Sequence, residues 1–346
     1  MLRGIGFIAA TAAILSASLS QAAAETVEDF YRGKTINLIM SSGVGGADDL
    51  VARTLIRVMP NHMPGQPSMV MRHMPGAGHV LATNYLYSQA PRDGTTIATI
   101  GNSIPLHQVL DGKGVRFDAT KFQWLGSSGS SNLMTVARRG AGVTTIQDVM
   151  TKEITAGSTG AGSGTMLYPT VMNNVLGTKF KIVTGYQRGA EVDLAIERGE
   201  VDARGGFSLG SLSKEHPDWL QDGKMVFLVQ VGWRREPRMP EVPLMHELAK
   251  TDEQRRILEL ISSTVALGRP YLTPPEVAQD RFQALRQAFM AALQDPEFKA
   301  ESERLSFDLI PMDGDKVAEL VTMTVNAPPE VIAKAKQALD SPEQPN

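Results

Sequence analysis

Residues 35–59 read TINLIMSSGVGGADDLVARTLIRVM, a strand-like apolar run followed by a glycine-rich loop and an amphipathic helix. The pattern returns at residues 68–90, where SMVM leads into MPGAGH and a second helix. A glycine-rich turn that opens a helix presents unpaired backbone N–H groups at the positive end of the helix dipole, and this geometry holds anions. The two loops therefore predict a site for a negatively charged ligand. Each loop also has a plainer interpretation, a tight turn between strand and helix.

Strand-like and helix-like segments alternate along the rest of the chain, which is typical of α/β proteins. Short strands are predicted at residues 95–100, 153–156, 181–183 and 201–203. Residues 225–231 form an apolar run suited to a buried parallel strand, and from residue 275 onward the chain is predicted to be mainly helical. Two segments, 130–137 and 262–272, combine small residues with β-formers and predict extended crossings between two lobes.

These crossings divide the chain into a discontinuous first lobe, residues 25–132 and 263–346, and a contiguous second lobe, residues 133–262. The C-terminal helices are expected to pack on the first lobe. Two crossings of this kind make a hinge, and the cleft between the lobes is a natural ligand site.

The first 24 residues have the pattern of a secretory signal peptide. Arg3 supplies a positive start, residues 5–19 carry no charge, and Ala22-Ala23-Ala24 offers a cleavage site before Glu25. The apolar stretch is too short for a membrane span and ends in small residues. We expect a protein exported to the periplasm.

Composition excludes several classes of site. The 34 Lys and Arg residues and 37 Asp and Glu residues give a net charge of −3 without a basic stripe, so we predict no nucleic-acid partner. The absence of cysteine excludes disulfides and thiolate chemistry. The six histidines show no metal-ligand spacing, no Ser/His/Asp arrangement is present, and Ser163 stands where a phosphate loop needs lysine. We therefore predict no metal, no cofactor and no enzymatic activity.

A series of short motifs resembles the Bug-type periplasmic receptors, the substrate-binding subunits of tripartite tricarboxylate transporters. The shared motifs are FYRGKTI at 30–36, GVGG at 43–46, MPGAG at 74–78, PRDG at 91–94, GSTGAGS at 157–163, YQRG at 186–189 and GEVD at 199–202. Each motif is weak alone, whereas their order and spacing are specific. The resemblance covers nearly the whole mature chain.

The resemblance implies a type II, two-lobed Venus-flytrap fold that binds a small organic carboxylate and delivers it to membrane permease subunits. It places ligand contacts at Val44, Gly45, Gly46, Asn102 and Ser103 of the first lobe and at Ser158, Ser163, Thr165 and Tyr186 of the second. The residues themselves add five candidates: Ser42, Gly78, His79, Arg188 and Arg204. We expect a monomer. The alternatives are a binding module that feeds a membrane sensor kinase and an exported enzyme on the same fold.

Two departures from the family pattern bear on the ligand. The usual PGAGG ends in His79, whose role is either ligand contact or capping at the surface. Arg204 stands where many members carry a Phe-Asp pair after GEVD, and a guanidinium fork suits a carboxylate. The alternative to a ligand contact is that Arg204 pairs with Asp202 or Glu200. For Arg188, the alternative is a solvated residue at the start of a helix.

Overall fold

The computed structural model describes residues 25–45, 47–160, 163–305 and 307–340. Within these ranges eleven strands form two sheets, and fourteen α-helices surround them. The predicted signal peptide, residues 1–24, and the candidate Gly46 lie outside the described residues. None of the described helices is long and apolar enough to cross a membrane.

The strands are, in chain order, β1 (Thr35–Met40), β2 (Ser68–His73), β3 (Thr96–Thr99), β4 (Gln123–Ser127), β5 (Leu133–Arg138), β6 (Ile154–Gly157), β7 (Phe180–Val183), β8 (Ala203–Ser208), β9 (Met225–Val231), β10 (Pro270–Thr273) and β11 (Met312–Asp313). The helices are α1 (Val27–Tyr31), α2 (Ala47–Val58), α3 (Val80–Ser88), α4 (Ile104–Leu110), α5 (Ile146–Thr151), α6 (Gly164–Val171), α7 (Gly189–Glu197), α8 (Leu209–Glu215), α9 (Pro217–Gln221), α10 (Asp252–Leu267), α11 (Gln279–Gln294), α12 (Pro296–Arg304), α13 (Gly314–Val325) and α14 (Pro329–Leu339).

The first sheet has the order β11-β4-β10-β3-β1-β2. Strands β2, β1 and β3 run parallel, and β10, β4 and β11 add antiparallel pairings. One face packs on α2, where Val51, Leu55 and Val58 are buried against Ile36 and Leu38 of β1. The opposite face is covered by α3 and α13. The spacing of apolar residues in residues 48–59 therefore predicted this helix and its buried face correctly.

The second sheet has the order β7-β6-β8-β5-β9. The prediction of a parallel strand at residues 225–231 was wrong in direction, because β9 is an edge strand that pairs antiparallel with β5. A continuous apolar run predicts that both faces of a strand are buried, but it does not predict whether the strand pairs parallel or antiparallel. Leu228 and Val229 belong to the core cluster under α5, α6 and α10, while Met225 belongs to the cluster under α7 and α8.

Strand β8 begins where the sequence predicted a strand to end. Val201 and Asp202 precede it, and Gly205 and Gly206 lie inside it rather than in a turn. A Cβ atom at Gly205 would lie 2.7 Å from Cδ of Pro169, because α6 crosses the strand closely at this point. The glycines therefore permit close helix–strand packing, although glycine in sequence suggests a turn.

The predicted two-lobed α/β fold with two crossings is confirmed, and the crossings are shorter than predicted. The chain leaves the first sheet at residues 128–132 and returns at residues 268–269. Residues 133–137 belong to β5, and residues 262–267 form the last turns of α10. Ser262 and Ser263 are fully buried, so small residues that suggested a flexible segment instead allow close helix packing.

The C-terminal segment does not all pack on the first sheet. Helices α11 and α12 lie in one core of that sheet and α13 lies in the other. In α14, however, Val331 and Ala335 are buried in the core of the second sheet, and Asn174 donates a hydrogen bond of 3.1 Å to the carbonyl of Ala338. Helix α14 also packs against α4, an element of residues 25–132, so it lies between elements of both predicted lobes and does not pack on the first lobe alone. The exact bounds of the two lobes stay a prediction.

We predict that Gly268→Ala destabilises the protein by about 2–3 kcal/mol, since φ is +58° and a Cβ atom would lie 2.1 Å from the carbonyl oxygen of Gly129. Gly177→Ala is the control, because its φ is +75° but no atom lies within 4 Å of the added carbon. That variant should lose only about 1 kcal/mol. Urea unfolding of both variants tests the difference, and equal losses would contradict the close contact at the crossing.

Candidate functional site

A cavity of about 400 Å³ lies between the two sheets, beside both crossings. The carboxyl ends of the parallel strands β1 and β3 open onto it, as is common for ligand sites in α/β proteins. It is lined by Met40, Ser41, Ser42, Asp48, His79, Thr99, Ile100, Gly101, Asn102, Ser130, Ser131, Leu133, Tyr168, Ser208, Thr264, Val265, Gly268 and Arg269. Among the predicted site residues, Ser42, His79 and Asn102 are thus brought together here.

The first glycine loop is held by its own helix. The buried carboxylate of Asp49 accepts hydrogen bonds from the backbone N–H of Gly45 (2.9 Å), Arg53 Nε (3.0 Å) and His73 Nε2 (2.7 Å). Burial alone would raise the pKa of Asp49, but these donors outweigh burial and hold it below its usual value. The N–H of Gly45 is therefore already paired, and the side chain of Val44 is 72% exposed outside the cavity. The loop reaches the cavity through Ser41 and Ser42.

The second loop contributes His79, which adopts a left-handed conformation with φ of +76°. Its Nδ1 lies 3.0 Å from the hydroxyl oxygen of Ser41. A Cβ atom at Gly101 would lie only 2.3 Å from Cδ2 of His79, so the missing side chain makes room for the imidazole. Gly78 and Ser103 are exposed and do not line the cavity.

The hydroxyl groups predicted for the second lobe do lie close together, but they hydrogen-bond to one another and to backbone amides of their own loop. Thr165 Oγ1 accepts from the backbone N–H of Thr159 (3.0 Å) and lies 2.7 Å from Ser163 Oγ. Ser158 Oγ accepts from the N–H of Gly160 (3.1 Å). These hydroxyls close the loop before α6, and none of them lines the cavity.

The second lobe lines the cavity with residues that the sequence analysis missed, chiefly Tyr168 and Ser208. Tyr168 follows Thr165 by three residues on α6, so helical spacing from the predicted site could have found it. Burial raises the pKa of Tyr168 to about 12, against a smaller lowering by its hydrogen bond with Thr264. Its phenol is therefore protonated at neutral pH and able to donate.

Two further candidates lie away from the cavity. Tyr186 is half-buried in the core beneath α7, where its ring lies against Gly157. Arg188 is 81% exposed, and its Nε lies 3.7 Å from a carboxylate oxygen of Glu191. The position of Arg188 agrees with its interpretation as a solvated residue at a helix start.

Arg204 lies in a buried ion pair. Its Nη1 is 2.5 and 2.6 Å from the two carboxylate oxygens of Asp193, and its guanidinium lies over the ring of Phe207 at 4.0 Å. Neither expected partner pairs with Arg204, because Asp202 pairs with Arg138 at 2.6 Å and Glu200 lies 3.9 Å from Arg198. Arg204 does not line the cavity, and its contact with a ligand stays a prediction.

The ion pair is part of a cluster that also contains His216 and Glu215. Ligand atoms of Asp193, Glu215 and His216 lie within 4.8 Å of one another, as in a metal site. Arg204, however, contacts both oxygens of Asp193, and His216 Nε2 lies 3.4 Å from one of them. A cation there would meet the guanidinium, so we interpret the cluster as an ion-pair network.

Arg269 is a positively charged residue of the cavity lining that the sequence analysis missed. Among the described residues that line the cavity, it is the one lysine or arginine. Its Nε donates to a carboxylate oxygen of Asp48 at 2.5 Å, and its guanidinium lies 4.5 Å from the centre of the Phe307 ring. Its position inside the predicted crossing 262–272 was the available signal, since a crossing residue borders the cleft.

We predict that Asp49→Asn lowers the free energy of unfolding by about 1.5–3 kcal/mol at pH 7, because three donors lose a buried carboxylate. The pKa is lower in the folded state, so this contribution is complete above the unfolded pKa of about 4 and is lost as the pH falls below it. Urea unfolding between pH 7 and pH 3 should show the gap between wild type and variant closing. Asp48→Asn, at a half-exposed neighbour, should change stability by less than about 1 kcal/mol. A gap that stays constant with pH would contradict the assignment.

We predict that Arg204→Ala destabilises the protein by about 3–5 kcal/mol, because it leaves a buried carboxylate without its main partner. The side chains of Arg204 and Asp193 are only 12% and 1% exposed. Arg188→Ala removes the same charge from an exposed position and should change stability by less than about 0.5 kcal/mol. Thermal melting of the unliganded variants measures both losses. An Arg204→Ala variant as stable as Arg188→Ala would rule out the structural role.

Comparison with known proteins places this geometry in a family. The model of the tripartite tricarboxylate transporter family receptor matches residues 51–337. A relative from Cupriavidus necator, the UPF0065 protein in gbd 5'region, is 26% identical over 338 residues and covers 95% of both chains.

Two solved structures share the fold. A TctC solute binding protein from Polaromonas has a TM-score of 0.69 at 16% identity, over 89% of this chain and 98% of that chain. MatC from Rhodopseudomonas palustris with bound malate has a TM-score of 0.54 at 17% identity, over 89% and 99%. The family model covers most of the chain, and the resemblance seen in its motifs is confirmed. The protein belongs to the tripartite tricarboxylate transporter receptor family.

Proposed function

We propose that the protein is a periplasmic receptor that captures a small organic carboxylate between its lobes and delivers it to the membrane subunits of a tripartite tricarboxylate transporter. The observation that carries the proposal is the cavity between the sheets, which receives side chains from both lobes and from both crossings. A ligand held this way bridges two bodies joined by a hinge. Membership of a receptor family supports binding rather than catalysis as the role of the cleft.

The lining of the cavity supports an oxygen-rich anion as ligand. Hydroxyl and amide groups surround the space, from Ser42 and Asn102 of the first lobe, Ser130 of the first crossing and Ser208 of the second lobe. Such groups, together with the guanidinium at the second crossing, donate hydrogen bonds to carboxylate oxygens. A volume of about 400 Å³ suits a small molecule. The MatC structure holds malate, which agrees with this ligand class.

The crossings support closure of the cleft around the ligand. In the described part of the chain, residues 128–132 and 268–269 connect the strands of one sheet to those of the other, and their backbones are hydrogen-bonded to each other. At the mouth of the cleft, Asp308 accepts a hydrogen bond of 2.8 Å from Ser131, and Arg238 of the second lobe lies 3.5 Å from the same carboxylate. Lobe bounds of 25–132 with 263–346, and of 133–262, remain part of this proposal, with α14 packed against elements of both lobes.

Export completes the proposal. The charge, apolar run and alanine-rich site of residues 1–24 support secretion with cleavage before Glu25. A receptor in the periplasm meets its ligand there and passes it to the permease subunits in the inner membrane.

We predict that a panel of malate, succinate, citrate and benzoate contains at least one acid that binds with 1:1 stoichiometry. At one hundred times its dissociation constant, such an acid should add about 2.7 kcal/mol to the stability of the folded protein. Thermal shift identifies the binder, and isothermal titration measures its affinity. The methyl ester of the same acid is the control, since it keeps the shape and removes the charge. Equal affinity for ester and acid, or no binding across the panel, would contradict the proposed function.

A further inference from the structure

We propose that Arg269 is the residue that binds the carboxylate of the ligand, and that Asp48 is a built-in competitor for the same guanidinium. This inference rests on the proposed function and assigns a residue to the charge that the ligand carries. It differs from the sequence-based expectation, which assigned the anion to backbone N–H groups and to hydroxyls of the two lobes.

The first observation is the position of Arg269 in the cleft. A second cavity of about 230 Å³ lies against the first, and the two share Ser131, Ser208 and Arg269 in their linings. Arg269 is the one lysine or arginine among the described residues that line either cavity. The guanidinium therefore lies at the junction, where an acid reaches it from the larger cavity, since Glu215 and Asp308 place two further carboxylates on the smaller one.

The second observation is that Arg269 is held in place but keeps free donors. Its backbone N–H donates to the carbonyl of Gly129 at 3.1 Å, its guanidinium stacks over Phe307, and its Nε donates to Asp48. Neither Nη group has a hydrogen bond to any residue in the described parts of the chain. The side chain is 27% exposed and lines both cavities, so its unpaired donors are accessible to a ligand in the cleft. A fixed fork with free N–H groups is suited to a carboxylate.

The third observation is the neighbouring negative charge. Asp48 lines the same cavity and contacts Arg269 through one carboxylate oxygen. A ligand carboxylate that binds the Nη groups comes close to this charge and is repelled by it. For two unit charges about 4 Å apart in a water-like environment, the repulsion corresponds to about a fivefold change in affinity. Asp48 thus keeps the guanidinium oriented while the cleft is empty, and it weakens the binding of an acid.

The same geometry offers polar partners at the far end of the ligand. His79 and Asn102 line only the larger cavity, whereas Arg269 lies at its junction with the smaller one. An acid whose carboxylate is bound at Arg269 therefore extends toward an imidazole and an amide, and both can hydrogen-bond to a second polar group of the ligand.

Four variants of the full chain test the assignment by isothermal titration with malate and succinate, and with butyrate as the simple monocarboxylate. Arg269→Gln should weaken malate or succinate binding by roughly tenfold to a hundredfold. Arg269→Lys should recover part of the affinity, since an ammonium keeps the charge without the fork. Asp48→Asn should tighten binding by about fivefold. Arg286→Gln is the matched control, because this arginine is paired with Asp315 at 2.7 Å and lines neither cavity, and it should bind as wild type does.

The outcomes separate this inference from the proposed function. If wild type binds no acid of the larger panel, the proposed function fails and the assignment fails with it. If wild type binds malate or succinate and Arg269→Gln binds equally well, only the assignment to Arg269 is overturned. Unchanged or weaker binding by Asp48→Asn would overturn its role as competitor, and butyrate binding as tight as that of succinate would overturn the contact of His79 and Asn102 with a second polar group of the ligand. Should Arg269→Gln fail to fold, the Lys and Asp48→Asn variants still decide, because full affinity in Arg269→Lys contradicts the need for a fork.

Discussion

The structure depends on the pairing of its two crossings. The backbone N–H of Ser128 donates to the carbonyl of Arg269, and the N–H of Arg269 donates to the carbonyl of Gly129, each at 3.1 Å. Gly268 allows this approach, since any side chain there would overlap Gly129. The two crossings lie side by side at this point, with one sheet on each side of the cleft. The backbone arrangement thereby fixes the position of the cleft, and the side chains that line it determine which ligand it accepts.

The groups expected to bind an anion differ from those that line the cavity, because several of the expected groups are already hydrogen-bonded within the protein. A buried carboxylate needs donors, and Asp49 takes the N–H of Gly45, so that amide serves loop structure. The hydroxyls of Ser158 and Thr165 are likewise buried and satisfied by loop amides and by each other. The groups left over for a ligand are those at the ends of strands, where the ladder stops and the side chains enter the cavity. Ser42 and Asn102 are of this kind.

Two arginines show how the surroundings decide the role of one residue type. Arg204 is enclosed with Asp193 and Phe207, and its charge is balanced inside the second lobe. Arg269 has a single half-exposed partner and lies on the cleft, so its donors remain available. A buried ion pair needs both members, because either charge alone is poorly solvated in the core. At the cleft, by contrast, an arriving anion can share the guanidinium.

The sequence by itself determined the class of fold, most helices, the two crossings and the family, because apolar periodicity and motif order are local properties of the chain. It also predicted Ser42, His79 and Asn102 as site residues, and these three line the cavity, while their contact with a ligand stays a prediction. Only the tertiary structure decided the direction of β9, the packing of α14 and the partner of Arg204, since each depends on residues far apart in the chain. The contacts of Arg269 were also decided by the tertiary structure. Its partners Asp48 and Phe307 are distant in sequence, so no local sequence pattern predicts these contacts.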